Sequence, residues 1–539
     1  MPAPFFVQLR RAVDLADGLR ESAAMTDDLA EAERRIARGA GDAHDFNLAA
    51  WHRAGAGDIA GAFALLDAVL AASPNEPATL VTRAALLRRA GRLRDAVLAC
   101  DAAIRAAPSY PDAWLERAFV LAAGGSMKAA GESYVRVLAL DPANPAAHAG
   151  LASLAARDGD AAKGREHAQA ALAADPGNAI ASAALATIEL EGGNPDAARA
   201  LLAPLAASLD HPTADRALVL GLLGDAHAKL GEPAPAFTAY ARAKQDFATI
   251  NAHHFAGRQS HRDFVEGILA GVEAMDPACW SPADPCGQAA THLFLLGYPR
   301  SGNTLVENVL ASLPDVVALE ERPTLRAADQ DFLADPGGLG RFAALGEEAL
   351  VPYRGDYWNK VAQAGIDTTN RCFVDMDPLK GIRLPLIARL FPQARILIMR
   401  RDPRDVVWSC FRTQFALTNA AMDFTTLERA ARHYDAMMRL LETAQARLPL
   451  AFHVVRYESL VADFDAETRA LCAFAGLPWD PAVRRFDRTA KARGVATASA
   501  GQVRKGLYDG RRQWEPFAPW LEPVMPILAP WIDKFGYAA

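Results

Sequence analysis

From His292 onward, short apolar runs pass into helically spaced apolar positions, whereas the preceding half reads as helix after helix separated by turns. HLFLLGYPRSGNTLVENVLASLP is patterned as a strand, a glycine-bounded turn and a helix. ARILIMRRDPRDVVWSCFR is an apolar strand that ends in charge and runs directly into a helix. Between the halves, HRDFVEGILAGVEAM reads as one helix leading into the Pro- and Cys-containing stretch DPACWSPADPCGQAA.

The helical half is periodic. Gly57, Gly91, Gly125, Gly159 and Gly193 follow one another at steps of 34 residues, and Pro74, Pro108, Pro142 and Pro176 keep the same step in phrases that end helices. Five residues after each glycine stands a small residue, Ala62, Ala96, Ala130, Gly164 and Ala198, where two close-packed antiparallel helices leave no room for a large one. The unit is helix, tight turn, helix. Gly231 with Ala236 extends the series after a longer step of 38 residues, as an atypical terminal repeat does. Period and small-residue positions resemble the tetratricopeptide family, although Ala and Leu fill most of its aromatic positions. The expected division is a helical segment over 1–45, a repeat array over 46–246, a helical linker over 247–290 and an α/β domain over 291–539. The array implies an extended surface for a protein or peptide; a spacer or a homodimerisation surface is the plainer alternative.

Composition narrows the class. A chain of 539 residues exceeds a single core, and 51% hydrophobic with 22% charged residues is globular. A formal charge of −7 gives no general bias towards nucleic acid or an anionic membrane, so any anion site is local. Cys100, Cys279, Cys286, Cys372, Cys410 and Cys472 show neither CxxC spacing nor regular pairing. With no signal-peptide pattern and no membrane-length apolar run, a cytoplasmic protein is expected. His253, His254 and His261 match no metal spacing, so packing between domains is their expected role and no metal is expected.

Gly297 and Gly302 bound a G-x-x-x-x-G turn at a helix start, where loop N–H groups converge on a phosphate. A nucleotide triphosphatase carries lysine at the next position; this chain has Asn303, and its fixed cation is Arg300 inside the loop. In the second element Asp402 is placed as N-cap and Pro403 at the first helical position. Arg401 therefore sits at the carboxyl end of a parallel strand, and Ser409 returns to the same face two turns later. The competing reading makes Asp402 a magnesium carboxylate in a phosphate-loop phosphotransferase.

YPRSGNTL resembles the 5′-phosphosulfate loop of sulfotransferases that use 3′-phosphoadenosine 5′-phosphosulfate (PAPS), with Asn303 where many members have Thr or Ser. The step from Arg401 to Ser409 is similar to that family's 3′-phosphate motif. The resemblance implies a P-loop-like α/β fold with a mainly parallel sheet, following an all-α solenoid. It implies that Pro299, Arg300, Ser301, Gly302, Asn303, Thr304, Arg401, Ser409, Tyr457, Gln502 and Arg504 bind PAPS, leaving the product PAP. Trp514 keeps the spacing of the same late segment, and Ser499 matches a serine on the transition-state side. Tyrosylprotein sulfotransferases carry a catalytic glutamate in an E-E pair at this distance after the loop arginine. Glu321, beside Glu320, is the match, with Arg300 stabilising charge and a protein tyrosine as the favoured acceptor ahead of a carbohydrate or small metabolite. Where related enzymes read D-K-x-P this chain has Asp375-Met376-Asp377-Pro378, and methionine cannot hold an anion. Lys380, Arg383, Arg511 and Arg512 are the candidate replacements; if none serves, the domain binds nucleotide as a degenerate scaffold.

Overall fold

The computed structural model describes residues 23–276, 289–493 and 500–538, so Cys279, Cys286 and Ser499 lie outside the described residues. The chain divides into two compact units after Ile250.

Among the described residues six helical hairpins follow one another, from Ala43–Gly55 with Ile59–Ala72 to Ala214–Lys229 with Pro233–Phe255. Each periodic glycine holds a left-handed backbone, with φ from 73° at Gly91 to 88° at Gly57. A Cβ at these positions meets nothing within 4 Å, so conformation rather than space requires the glycine. The small positions have the opposite cause. Ala62, Ala96, Ala130, Ala198 and Ala236 are fully buried, and a Cβ at Gly164 would stand 2.5 Å from Ile188 Cδ1. Beyond the helix-ending prolines, Pro77, Pro111 and Pro145 open the next helix, where the missing N–H costs no bond.

The second unit is built on a five-stranded parallel sheet in the order β2-β3-β1-β4-β5. Its strands are β1 (Thr291–Leu296), β2 (Val316–Glu320), β3 (Cys372–Met376), β4 (Arg395–Arg400) and β5 (Ala451–Arg456). Leu293 to Leu296 are completely buried, as a central parallel strand covered on both faces must be. Helix α1 (His261–Ala274) buries Val265, Ile268, Leu269 and Val272 and packs within this unit. Helices α2 (Asn303–Leu310), α3 (Pro403–Arg412) and α4 (Leu427–Arg447) complete the frame used below. The strand order reverses between β1 and β4, and open α/β sheets bind ligands beyond the carboxyl ends of the strands at such a point. Among the described residues no helix is long and apolar enough to cross a membrane.

The two kinds of glycine give opposite signs within one hairpin. Gly125→Ala forces a Cβ onto φ 78° and is expected to destabilise the array by about 1 kcal/mol. Gly131→Ala, in a helix interior with only Leu154 Cδ1 at 3.4 Å, is expected to stabilise it by about 0.5–1 kcal/mol. Thermal unfolding followed by circular dichroism should shift in opposite directions for the two variants.

Candidate active site

The turn after β1 is tight for identifiable reasons. A Cβ at Gly297 would lie 2.8 Å from Met399 O, and Gly302 takes φ 105° as it caps α2. Arg300 also adopts a left-handed φ of 71°, a conformation that costs an L-residue roughly 1–2 kcal/mol. Asn303 braces the loop from within: its Nδ2 donates to Tyr298 O at 2.9 Å, while its Oδ1 is buried without a partner. Ser301 is buried behind the turn, the Pro299 carbonyl accepts from Cys410 Sγ at 3.5 Å, and Thr304 lines the cleft.

The second element meets the first directly. Arg401 Nη1 donates to the strained Arg300 carbonyl at 3.0 Å, and Arg300 Nε donates to Ser409 Oγ at 3.1 Å. Arg401 also lies 4.7 Å over the Tyr457 ring, donates to Gly510 O and keeps a buried Nε with no partner. Asp402 caps α3 through Arg404 N at 2.9 Å and receives the Arg404 guanidinium at 3.0 and 2.8 Å, which commits its carboxylate to the helix start.

The late segment is fastened over these residues. Tyr457 Oη donates to Tyr508 O at 2.6 Å and accepts from Gly510 N at 3.1 Å. Gln502 Oε1 accepts from Arg300 at 3.2 Å. The Asp405 carboxylate takes both Arg512 N (2.8 Å) and Trp514 N (3.1 Å), and Arg404 stacks on the Trp514 ring at 4.2 Å. Trp514 thus serves packing, and Arg504 is not among the residues lining the cleft. The cleft is lined by Arg300, Arg401 and Arg412 and, among the described residues, by no carboxylate. Its three guanidinium groups and the unpartnered Arg401 Nε fit a ligand with phosphate oxygens. Arg412 escaped the sequence reading, although it follows Ser409 by three positions on α3.

On the other side of the loop, β2 brings the acidic pair into register with β3. Glu320 pairs with Met376, and Glu321 N donates to Met376 O at 2.7 Å, holding Glu321 at φ 45°. Desolvation first, then Asp377, Glu320 and Glu307, push the Glu321 carboxyl up to about 7, with Lys380 opposing them; the residue itself is solvent-exposed, which weakens the desolvation part of that rise and leaves the neighbouring carboxylates as its firmer cause. Glu307, on α2, is fully buried with one unpartnered oxygen, and burial raises it to about 7 despite Arg493 at 2.7 Å. The Asp377–Pro378 turn abuts the loop after β1: Gly297 N donates to Pro378 O at 3.2 Å.

Met376 is fully buried, and the candidate replacement cations are all in ion pairs. Lys380 is buried against Asp375, which also accepts Tyr357 Oη and Thr324 Oγ1 at 2.9 Å each. Arg383 binds Asp329 at 2.8 Å, Arg511 binds Asp509 at 2.7 Å and Arg512 binds Glu515 at 2.6 Å. Breaking a buried pair costs about 3–5 kcal/mol, against about 0.2–1 kcal/mol for an exposed one. Only Arg511 and Arg512 can be redirected cheaply.

Residues 292–481 match the model of the sulfotransferase family. Over 262 residues the chain is 28% identical to protein-tyrosine sulfotransferase 1 of Danio rerio, covering 46% of this chain and 72% of that protein. Over 244 residues it is 28% identical to an uncharacterised protein of Aquifex aeolicus, covering 44% of this chain but only 32% of that longer protein. The sulfotransferase domain of the olefin synthase of Synechococcus PCC 7002 aligns with a TM-score of 0.30 at 21% identity, over 44% of this chain and 98% of that domain.

The Tyr457 clasp is open to a direct test. Tyr457→Phe removes both its hydrogen bonds, at a cost of about 1–3 kcal/mol confined to the late segment. Limited proteolysis within residues 500–514 should accelerate several-fold while the melting of the repeat array is unchanged.

Proposed function

Since the C-terminal domain of this chain belongs to the sulfotransferase family, we propose that it transfers a sulfuryl group from PAPS to an acceptor hydroxyl. The observation that carries the reading is the direct contact between two motifs about a hundred residues apart, Arg401 to Arg300 O and Arg300 to Ser409 Oγ. It brings a phosphate loop and an arginine–serine pair to one cationic cleft. In this reaction the acceptor oxygen attacks sulfur in line with the departing 5′-phosphate oxygen. Glu321 takes the acceptor proton, for which a carboxyl raised to about 7 is suited. Arg300 and the loop N–H groups stabilise charge on the sulfuryl and leaving-group oxygens. Arg401, Ser409 and Arg412 hold the 3′-phosphate, Tyr457 and Gln502 steady the segment over it, and Ser499 and Arg504 keep the roles their resemblance implies. This reaction needs no metal ion. A protein tyrosine is the favoured acceptor, supported by the E-E pair and by relatives that bear that name, with the array presenting the substrate protein.

One observation favours a second reading, a nucleotide-binding scaffold without turnover: buried Met376 occupies the family's lysine position, and Lys380 cannot leave Asp375. Incubation with sulfur-labelled PAPS and tyrosine peptides separates the two. The enzyme reading expects label on an acceptor, reduced by at least about 10²-fold in Glu321→Gln with PAP binding retained. PAP binding with no acceptor ever labelled supports the scaffold.

The pH dependence has a definite sign. The base works unprotonated, so kcat should rise with pH through about 7 and level off above it. A rate already flat above pH 5.5 would remove Glu321 from the role.

A further inference from the structure

Outside the cleft, three potential ligands from separate elements converge within the second unit. His261 opens α1, Asp423 ends the short helix Asn419–Asp423, and His433 lies on α4. Their ligand atoms all fall within 4.8 Å of one another. We propose that His261, Asp423 and His433 bind one divalent cation of the zinc class through three protein ligands with the fourth position open, at a site distinct from the cleft.

The second shell is the one such a site needs. His433 is fully buried, and its Nδ1 lies 2.7 Å from Tyr298 Oη in the phosphate loop. With that nitrogen protonated and donating, Nε2 presents its lone pair to the cluster, the arrangement by which an outer hydrogen bond orients a ligating histidine. Nε2 faces His261 Nδ1 at 2.7 Å. Two nitrogens bound to zinc at 2.0–2.1 Å in a tetrahedron stand about 3.3 Å apart, so the rings need part by only some tenths of an ångström. Asp423 is oriented by Arg262 N at 2.9 Å.

The charges around the cluster decide its strength. The Arg262 guanidinium is turned to Asp263 at 2.6 Å, and Arg383, felt by His261, is paired with Asp329. Arg429 is the competitor: it holds Asp423 at 3.3 Å, but its side chain is 47% exposed and can swing into solvent. A bound ion replaces it on the carboxylate and ties α1, α4 and, through Tyr298, the phosphate loop into one body.

The test uses the full-length chain stripped with chelator and titrated with Co²⁺, followed by Zn²⁺. The expected result is one equivalent of Co²⁺ with visible d–d bands, displaced by Zn²⁺, and a raised melting temperature. His261→Ala and Asp423→Asn should each weaken binding at least tenfold, and Arg429→Ala should tighten it. Binding should persist in His253→Ala with His254→Ala. No saturable Co²⁺ binding, a thiolate charge-transfer band, or binding unchanged in both His261→Ala and Asp423→Asn would overturn the assignment.

Discussion

The guanidinium of Arg401 is the constraint on which the site depends. One nitrogen holds the carbonyl of Arg300 in a left-handed turn, another holds Gly510 in the late segment, and the plane rests on Tyr457. A single side chain at the end of β4 thus fixes the loop after β1 and the strap that crosses it. The position follows from topology, because β1 and β4 are the neighbours between which the strand order reverses. Arginine suits the task because a rigid fork distributes donors among several acceptors, where an ammonium would offer one point charge.

The two sides of the proposed site differ in character. The proposed nucleotide side is cationic, with its carboxylates placed behind it: Asp402 caps α3 and Asp405 grips the backbone of the late segment. The proposed acceptor side gathers Glu307, Glu320, Glu321 and Asp377, where desolvation and then the neighbouring carboxylates raise Glu321. Lys380 lies beneath this group, spent on Asp375, Thr324 and the Arg322 carbonyl. It supports the turn that carries Glu321, which is why a cation two residues beyond Pro378 does not stand in for a lysine at Met376.

Much of this was legible in the amino-acid order, and the remainder has a common physical cause. The repeat glycines announce themselves because a left-handed φ tolerates few other residues, so each of the six turns carries the same letter. The loop, the cap at Asp402 and the step from Arg401 to Ser409 are local patterns, and local geometry reproduces them. Contacts across long separations left no such mark. Strand β2 is five residues of ordinary composition whose assignment rests on pairing with β3. The clasp of Tyr457 on Tyr508 and Gly510, the grip of Asp405 on Arg512 and Trp514, and the meeting of His261 with His433 join positions that only the fold brings together. Asn303 shows the reverse, since its place in the loop motif suggested a ligand contact, yet its amide is used to brace Tyr298 O.

Whether this cleft recognises a nucleotide by its 3′-phosphate is decided by isothermal calorimetry with PAP, ADP and Mg·ATP. PAP should bind without Mg²⁺, at least tenfold tighter than ADP, with that preference lost in Ser409→Ala and binding abolished in Arg401→Ala. Equal affinity for PAP and ADP, or a preference for Mg·ATP, would contradict it.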